Sequence, residues 1–393
     1  MLKLSGIPIR THAEVGRKIF SITTNSDLPL PLKKQKAYLL RSGGEFIPGF
    51  LHYLVLGAMP TNFPPDQPYT LLDQQFDYLE QDDVVRVGDG RIRVLYRALS
   101  DSNSFLLTER CNNYCLMCSQ PPKDIDDSWL LDEAMEAIRL LPASTKEIGI
   151  TGGEPTLYGR RFIDLLHLAK SYHPQAAVHV LSNGRYFMDL DFCRAYAAVK
   201  HPDLMVGIPV YSADPSVHDY VVQAEGAFQE TILGILNLKR MKQRVELRVV
   251  LHKQTIGGLV QLAEYIARNL LFVDQVALMG LEIMGFARAN IHELWIDPAD
   301  YRDTLSEAVE ILRAYGIKTA VYNHPLCLIN SDIEDVYVKS ISDWKNEFAV
   351  ECELCLRQQD CGGFFSSGIK YRYSSSLKPF KKTILSSSSD AAV

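Results

Sequence analysis

Cys111, Cys115 and Cys118 stand as C-x3-C-x2-C in "LLTERCNNYCLMCSQP" (Leu106–Pro121), just after a short apolar run. Thiolates are the usual ligands of a cubic [4Fe–4S] cluster. Three of them on one short loop can hold three irons and leave the fourth open to a bidentate small molecule. The next apolar run ends in Gly152-Gly153-Glu154-Pro155, within "GITGGEPT". In this order the two motifs point to a [4Fe–4S] cluster that takes S-adenosylmethionine at its open iron through the amino and carboxylate groups. One electron would break the sulfonium C–S bond, giving methionine and a 5′-deoxyadenosyl radical able to abstract an unactivated hydrogen. The cofactor carries that chemistry; the protein orients and shields it.

A second set of thiols lies downstream. Cys352, Cys355 and Cys361 form C-x2-C-x5-C, and Cys327 follows "NHPL" upstream of them. Four thiolates make either a tetrahedral zinc site or an auxiliary [4Fe–4S] cluster. His324 is an alternative ligand, with capping of a strand end as its simpler role. A site closed by four protein ligands would serve electron transfer or structure, not substrate binding. Cys193 is the outlier among the eight cysteines. It lies among apolar residues on a helical pattern and reads as a buried structural thiol.

The elements that must position these groups alternate from Ser104 onward. Strands are expected at Phe105–Thr108, Glu147–Thr151, Ala177–Leu181, Leu204–Tyr211, Val245–Leu251 and Gln275–Met279. Helices are expected at Leu131–Leu141, Arg161–Tyr172, Gly226–Lys242 and Gly258–Leu270. Alternation of this kind implies a parallel sheet, and six units fall short of an eightfold barrel. The fold class is therefore α/β, a partial (β/α)6 barrel. Such folds build their sites at the C-terminal ends of strands. The cysteine loop, Gly152-Gly153-Glu154, Ser182-Asn183 and Ser212 all fall there. Arg248 is a charge inside an apolar strand, so it needs a partner; a cofactor carboxylate is one candidate and an outward orientation the other.

A long helix is expected from Asp297-Pro298 through Tyr315, with Gly316 as its C-cap, then a strand at Lys318–Tyr322, after which the alternation stops. Residues 1–100 lack strand–helix alternation; Val84–Tyr96 is a hairpin around Gly88-Asp89-Gly90, and Thr61–Tyr69 is a proline-rich loop. The expected domains are 1–100 (accessory), 101–316 (barrel), 317–380 (cysteine-rich extension) and 381–393, a disordered tail.

Composition narrows the class. The chain has 393 residues, 41 basic and 47 acidic, a net charge of −6 and 47% hydrophobic residues. It has no broad basic excess, which argues against nucleic acid as the main partner. The opening residues lack the apolar core of a signal peptide. The longest apolar stretch, Phe50–Met59, is too short to span a bilayer. The cytoplasm is the expected compartment, where clustered cysteines mark metal sites more often than disulfides.

Over Ser104–Cys361 the chain resembles the radical S-adenosylmethionine superfamily. The resemblance implies that Cys111, Cys115 and Cys118 ligate the catalytic cluster. It also implies that Glu154 accepts hydrogen bonds from the amino group of the bound cofactor. Met117 departs from the pattern, since many members carry an aromatic residue there. More narrowly, "CNNYCLMCSQPP", "GITGGEPTLYG" and the late "CGGFF" resemble the C-type radical maturase of the His-Xaa-Ser peptide system. That implies a ribosomally made precursor peptide or protein as substrate, an electron donor such as flavodoxin or ferredoxin, and a second radical maturase as a further partner. The spacing of the second cysteine set resembles part of the auxiliary-cluster extension of peptide-modifying radical enzymes. Two other readings stand beside this one: a radical enzyme acting on a small molecule or nucleotide, and a metal-binding scaffold without turnover.

Overall fold

The computed structural model describes residues 4–12, 17–339 and 346–381. Most of the tail expected at 381–393 lies outside them. The chain packs as two compact units, one of Met1–Tyr114, Gln120–Pro209 and Val222–Glu246, the other of Cys115–Ser119, Val210–Val221 and Leu247–Val393.

The first unit begins with β1 (Ser5–Gly6), β2 (Arg10–His12), β3 (Lys18–Thr23), the one-turn helix α1 (Leu30–Lys33), β4 (Lys36–Leu40), β5 (His52–Leu56), β6 (Tyr69–Leu72), β7 (Val84–Gly88) and β8 (Arg91–Tyr96). The hairpin read at Val84–Tyr96 is β7–β8, antiparallel. These strands form one sheet in the order β1-β8-β7-β3-β4-β5-β6-β2. The outer strands β1 and β2 are therefore joined by residues 7–9 alone. A flat eight-stranded sheet would hold its outer strands about 34 Å apart at the usual interstrand spacing. The link can span at most about 15 Å, so the sheet must curl back on itself. Phe20, Ile22, Leu54, Leu72, Phe76 and Ile92 fill one buried cluster. His52 is buried among them, stacked on Phe20 with ring centroids 4.9 Å apart, its Nε2 2.9 Å from Thr70 Oγ1. Burial pulls its pKa down to about 4, with the charge of Lys18 adding to the effect.

The unit continues with β9 (Ser104–Leu106), α2 (Trp129–Ile138), β10 (Glu147–Thr151), α3 (Arg160–Tyr172), β11 (Ala177–Leu181), α4 (Leu190–Ala198) and β12 (Leu204–Pro209). The strands pair in parallel, with Ile150 opposite Phe105, Ile148 opposite Val178 and Val180 opposite Val206. Apolar side chains fill these pairs because helices cover the sheet. α2 also holds the N-terminal sheet. Its Glu133 pairs with Arg86 at 3.2 Å and Arg93 at 3.1 Å, and its Trp129 lies under the guanidiniums of Arg17, Arg86 and Arg93. Cys193, on α4, is fully buried, and burial pushes its thiol up to about 11, as an inert structural thiol requires.

Beyond α5 (Pro215–Val222), α6 (Ala227–Arg240) and β13 (Arg244–Leu251), the second unit carries α7 (Leu259–Asn269), β14 (Gln275–Gly280), the short α8 (Gly285–Ala289) and α9 (Ile291–Leu294), α10 (Pro298–Ala314), β15 (Thr319–Tyr322), β16 (Tyr337–Val338) and α11 (Ser366–Tyr371). Asp297 caps α10 by accepting from the Ala299 amide at 2.9 Å, and Gly316 turns out of it at φ 71°. The strands β9 to β16 keep chain order, with β9 to β12 and β14 to β16 pairing in parallel, an α/β fold consistent with a partial barrel. Two expectations change. The sheet carries eight strands, not six, because β15 adds in parallel to β14 and β16 to β15. β9 stops at Leu106 and β12 at Pro209, each two residues short of the expected end.

Candidate metal and cofactor site

In the first unit, two carboxylates organise the chain around Cys111 and the strand ends beside it. Asp127 is 1% exposed. It accepts from Thr108 Oγ1 at 2.9 Å, from the Glu109 amide and from Tyr158 Oη at 3.2 Å, and Arg110 Nε lies 3.6 Å away. It fixes the chain just before Cys111. Glu154 is fully buried at the end of β10. Its Oε1 accepts from the Thr156 amide (3.0 Å), Thr156 Oγ1 (2.6 Å) and Ser182 Oγ (2.8 Å); its Oε2 accepts from the Asn183 amide (2.6 Å). Burial raises the Glu154 pKa while these donors pull it back. The carboxylate ties the end of β10 to the end of β11, and Oε2, with a single donor, keeps acceptor capacity.

The two glycines before Glu154 have a steric reason. A Cβ on Gly152 would stand 2.8 Å from the Thr108 carbonyl oxygen. On Gly153 it would stand 2.1 Å from the Arg110 carbonyl oxygen and 3.1 Å from Cys111 Cβ. Only a bare backbone lets the strand end lie against the entry to the cysteine loop. The Asn113 amide points at Cys111 Sγ at 3.4 Å, a donor suited to a thiolate.

The second unit holds Cys115 and Cys118 in a turn closed by the Cys118 amide and the Cys115 carbonyl at 3.0 Å. The Cys118 carbonyl accepts from the Phe286 amide (2.8 Å), and the Leu116 carbonyl accepts from Asn290 Nδ2 (2.9 Å). Met117 is buried. Tyr211 lies close to this turn. Burial, then the charges of Cys115 and Cys118, push its phenol well above the usual range. Ser212 lies three residues past the end of β12, and its Oγ accepts from the Asp214 amide at 3.0 Å, closing the turn into α5. Arg248 is half-buried on β13, and its Nη2 donates to Met279 Sδ at 3.2 Å.

Cys327, Cys352, Cys355 and Cys361 line one cavity, together with Phe348, Phe364 and Phe380. Cys361 Sγ accepts from the Leu326 amide (3.2 Å) and the Gly363 amide (3.3 Å). Burial raises the Cys327 and Cys352 thiols, backbone hydrogen bonds pull them back, and Cys355 and Cys361 raise both further. The donor set, four thiols with backbone amides aimed at sulfur, fits a thiolate-bound metal or cluster. Among the described residues, no three His, Cys, Asp or Glu side chains converge tightly on one ion. His324 is not placed as a ligand: Nε2 meets Tyr301 Oη at 2.8 Å and Nδ1 meets the Tyr322 carbonyl at 2.8 Å. It is the cap of a strand end.

Three residues escaped the sequence reading. Asp127 sits in the acidic run Asp124–Asp127, which looks like a solvated face. Arg185 directly follows Ser182-Asn183-Gly184, so its place after a strand end was the available signal. Tyr211 was counted as strand.

The chain thus combines a parallel α/β sheet, a three-cysteine loop after β9 and a buried carboxylate after β10. Residues 105–266 match the model of the Radical SAM superfamily. No curated protein matches the chain. Among solved structures it is similar to SuiB of Streptococcus suis, at 13% identity over 56% of this chain and 48% of that one, TM-score 0.44. It is similar also to anSMEcpe with bound AdoMet and a Cp18Cys peptide, at 16% over 56% and 62%, TM-score 0.43. A third is the coproporphyrinogen III oxidase HemN from Escherichia coli, described as a radical SAM enzyme, at 15% over 54% and 52%, TM-score 0.43. The chain thus spans between about half and three fifths of the length of these proteins. No helix among the described residues is long and apolar enough to cross a membrane.

Proposed function

We propose that the chain is a radical SAM enzyme that modifies a ribosomally made peptide or protein. Cys111, Cys115 and Cys118 would hold the [4Fe–4S] cluster, which, when loaded and reduced, supplies the electron that cleaves S-adenosylmethionine. The observation that carries this reading is the abutment of the two motifs. The Glu154 amide donates to the Arg110 carbonyl at 2.8 Å, so the acceptor carboxylate and the first thiol belong to one packed unit. Oε2 of Glu154, which accepts from the Asn183 amide alone, would be the acceptor for an ammonium group. Ser182 and Asn183, past the end of β11, would offer polar groups for the rest of the cofactor, and Ser212 and Arg248 are further candidates from the sequence.

The peptide substrate rests on the second cysteine set and on the short strings that resemble the His-Xaa-Ser maturase. Cys327, Cys352, Cys355 and Cys361 would hold an auxiliary [4Fe–4S] cluster, with zinc as the other metal they suit. Residues 1–100 would contribute to substrate choice. A small-molecule or nucleotide substrate is the competing reading. The test is anaerobic incubation with dithionite, S-adenosylmethionine and a candidate precursor peptide. 5′-Deoxyadenosine should form well above a Cys115→Ala control, with a mass change in the peptide. No 5′-deoxyadenosine above that control removes the enzyme reading, and 5′-deoxyadenosine with an unaltered peptide removes that peptide as substrate.

A further inference from the structure

We propose that Arg185 is a positioning residue that presets the cysteine loop, with Glu230 holding Arg185 in place; this rests on the reading of Cys111 as a cluster ligand. Arg185 Nη1 donates to the Asn112 carbonyl and to Asn113 Oδ1, each at 2.7 Å. Its Nε donates to Glu230 Oε2 at 2.6 Å. Its amide donates to Asn183 Oδ1 at 3.0 Å, and Asn183 Nδ2 donates to Asn112 Oδ1 at 2.6 Å. The two residues after Cys111 are thus gripped from residues 183 and 185, just past the strand end where the Asn183 amide holds Glu154.

The packing explains how Glu230 arrives there. Gly234 on α6 lies so close to the chain that a Cβ would stand 2.2 Å from the Gly184 carbonyl oxygen. One turn earlier, Glu230 is thereby delivered to the guanidinium. Thr231 Oγ1 adds a bond to the Asn183 carbonyl at 3.1 Å. Asn113, 3% exposed, is the residue whose amide faces Cys111 Sγ. Holding it fixes that donor before any ligand is present. Fixing a loop residue costs backbone entropy, so a loop held in advance binds its ligand more tightly. The role needs the planar fork of arginine. It reaches Glu230 through Nε and the loop through Nη1, which a single ammonium cannot do at once.

The experiment uses the full chain, wild type and Arg185→Met, Arg185→Lys and Glu230→Gln. In the metal-free protein, hydrogen exchange at residues 112–114 should rise about tenfold in Arg185→Met, with Tm and exchange elsewhere unchanged. Glu230→Gln should fall between. After anaerobic reconstitution, the change that S-adenosylmethionine makes in the electron paramagnetic resonance of the reduced cluster should need about tenfold more cofactor in Arg185→Met. Arg185→Lys should recover part of it. Unchanged exchange at 112–114 overturns the proposal. So does a rise spread over the whole chain, which would make Arg185 a general stability residue. A wild-type protein with no cluster on Cys111 overturns the reading of the first site, while the exchange arm still decides the clamp.

Discussion

Glu154 and Arg110 are joined backbone to backbone, amide to carbonyl, at 2.8 Å. This bond fixes the residue before the first cysteine to the residue after the two glycines, and it makes the glycines a steric requirement. Gly153→Ala would place a methyl 2.1 Å from a backbone oxygen that has no freedom to retreat. We expect a loss of about 1–3 kcal/mol, and iron uptake at the first site to fall more than at the second. Gly152→Ala, whose closest approach is 2.8 Å, should be milder. Thermal unfolding and iron analysis of both variants check this ordering.

Glu154→Gln keeps the shape of the side chain and removes one acceptor. Four donors converge on the carboxylate, so the new amide must face at least one of them donor to donor. A buried donor left unpaired costs about 1–3 kcal/mol. Tm should fall by several degrees, and 5′-deoxyadenosine formation should fall more steeply than the folded fraction at assay temperature. Equal falls would make Glu154 a structural residue only.

The second thiol set predicts a stoichiometry. With one cubic cluster at each site, anaerobically reconstituted protein should carry about eight irons and eight sulfides per chain, and Cys352→Ala about four. Wild-type protein with about four irons and one zinc would identify the second site as zinc.

His52 predicts acid lability. It is buried, with a pKa of about 4 against an ordinary 6.5. The unfolded chain therefore takes up a proton that the folded chain refuses as pH falls through that window. Its contribution is present above pH 6.5 and is lost progressively toward pH 4, about 3 kcal/mol at most. His324, also held near 4 by burial, acts in the same direction. Asp83, raised by burial to about 6, acts oppositely. His52→Gln should flatten the fall of Tm between pH 6.5 and 4; an unchanged slope would remove His52 as a cause.

What could be read from the sequence follows the range of the forces involved. Glu147–Thr151 and Ala177–Leu181 were placed residue for residue, because a covered parallel strand is a short apolar run between amphipathic helices. Tyr337–Val338 has two residues and no period to detect. Asp127 and Arg185 act through partners far away in sequence. Nothing local separates Asp127 from its acidic neighbours, and only the fold shows which one is buried. The strand order of the N-terminal sheet depends on pairings between its ends, beyond any local pattern.

That strand order makes one short segment a fastening for the whole N-terminal sheet. Residues 7–9 link the strand that covers β8 to the strand that covers β6, and Ile7 is 70% exposed. A single proteolytic nick there would sever β1 from the chain and leave β2 tethered on its C-terminal side alone. Either strand, on peeling away, would uncover a ladder of unsatisfied backbone groups on a different flank, ready to pair with another chain. The solubility of this region would then hang on a three-residue link in which Ile7 and Ile9 are exposed.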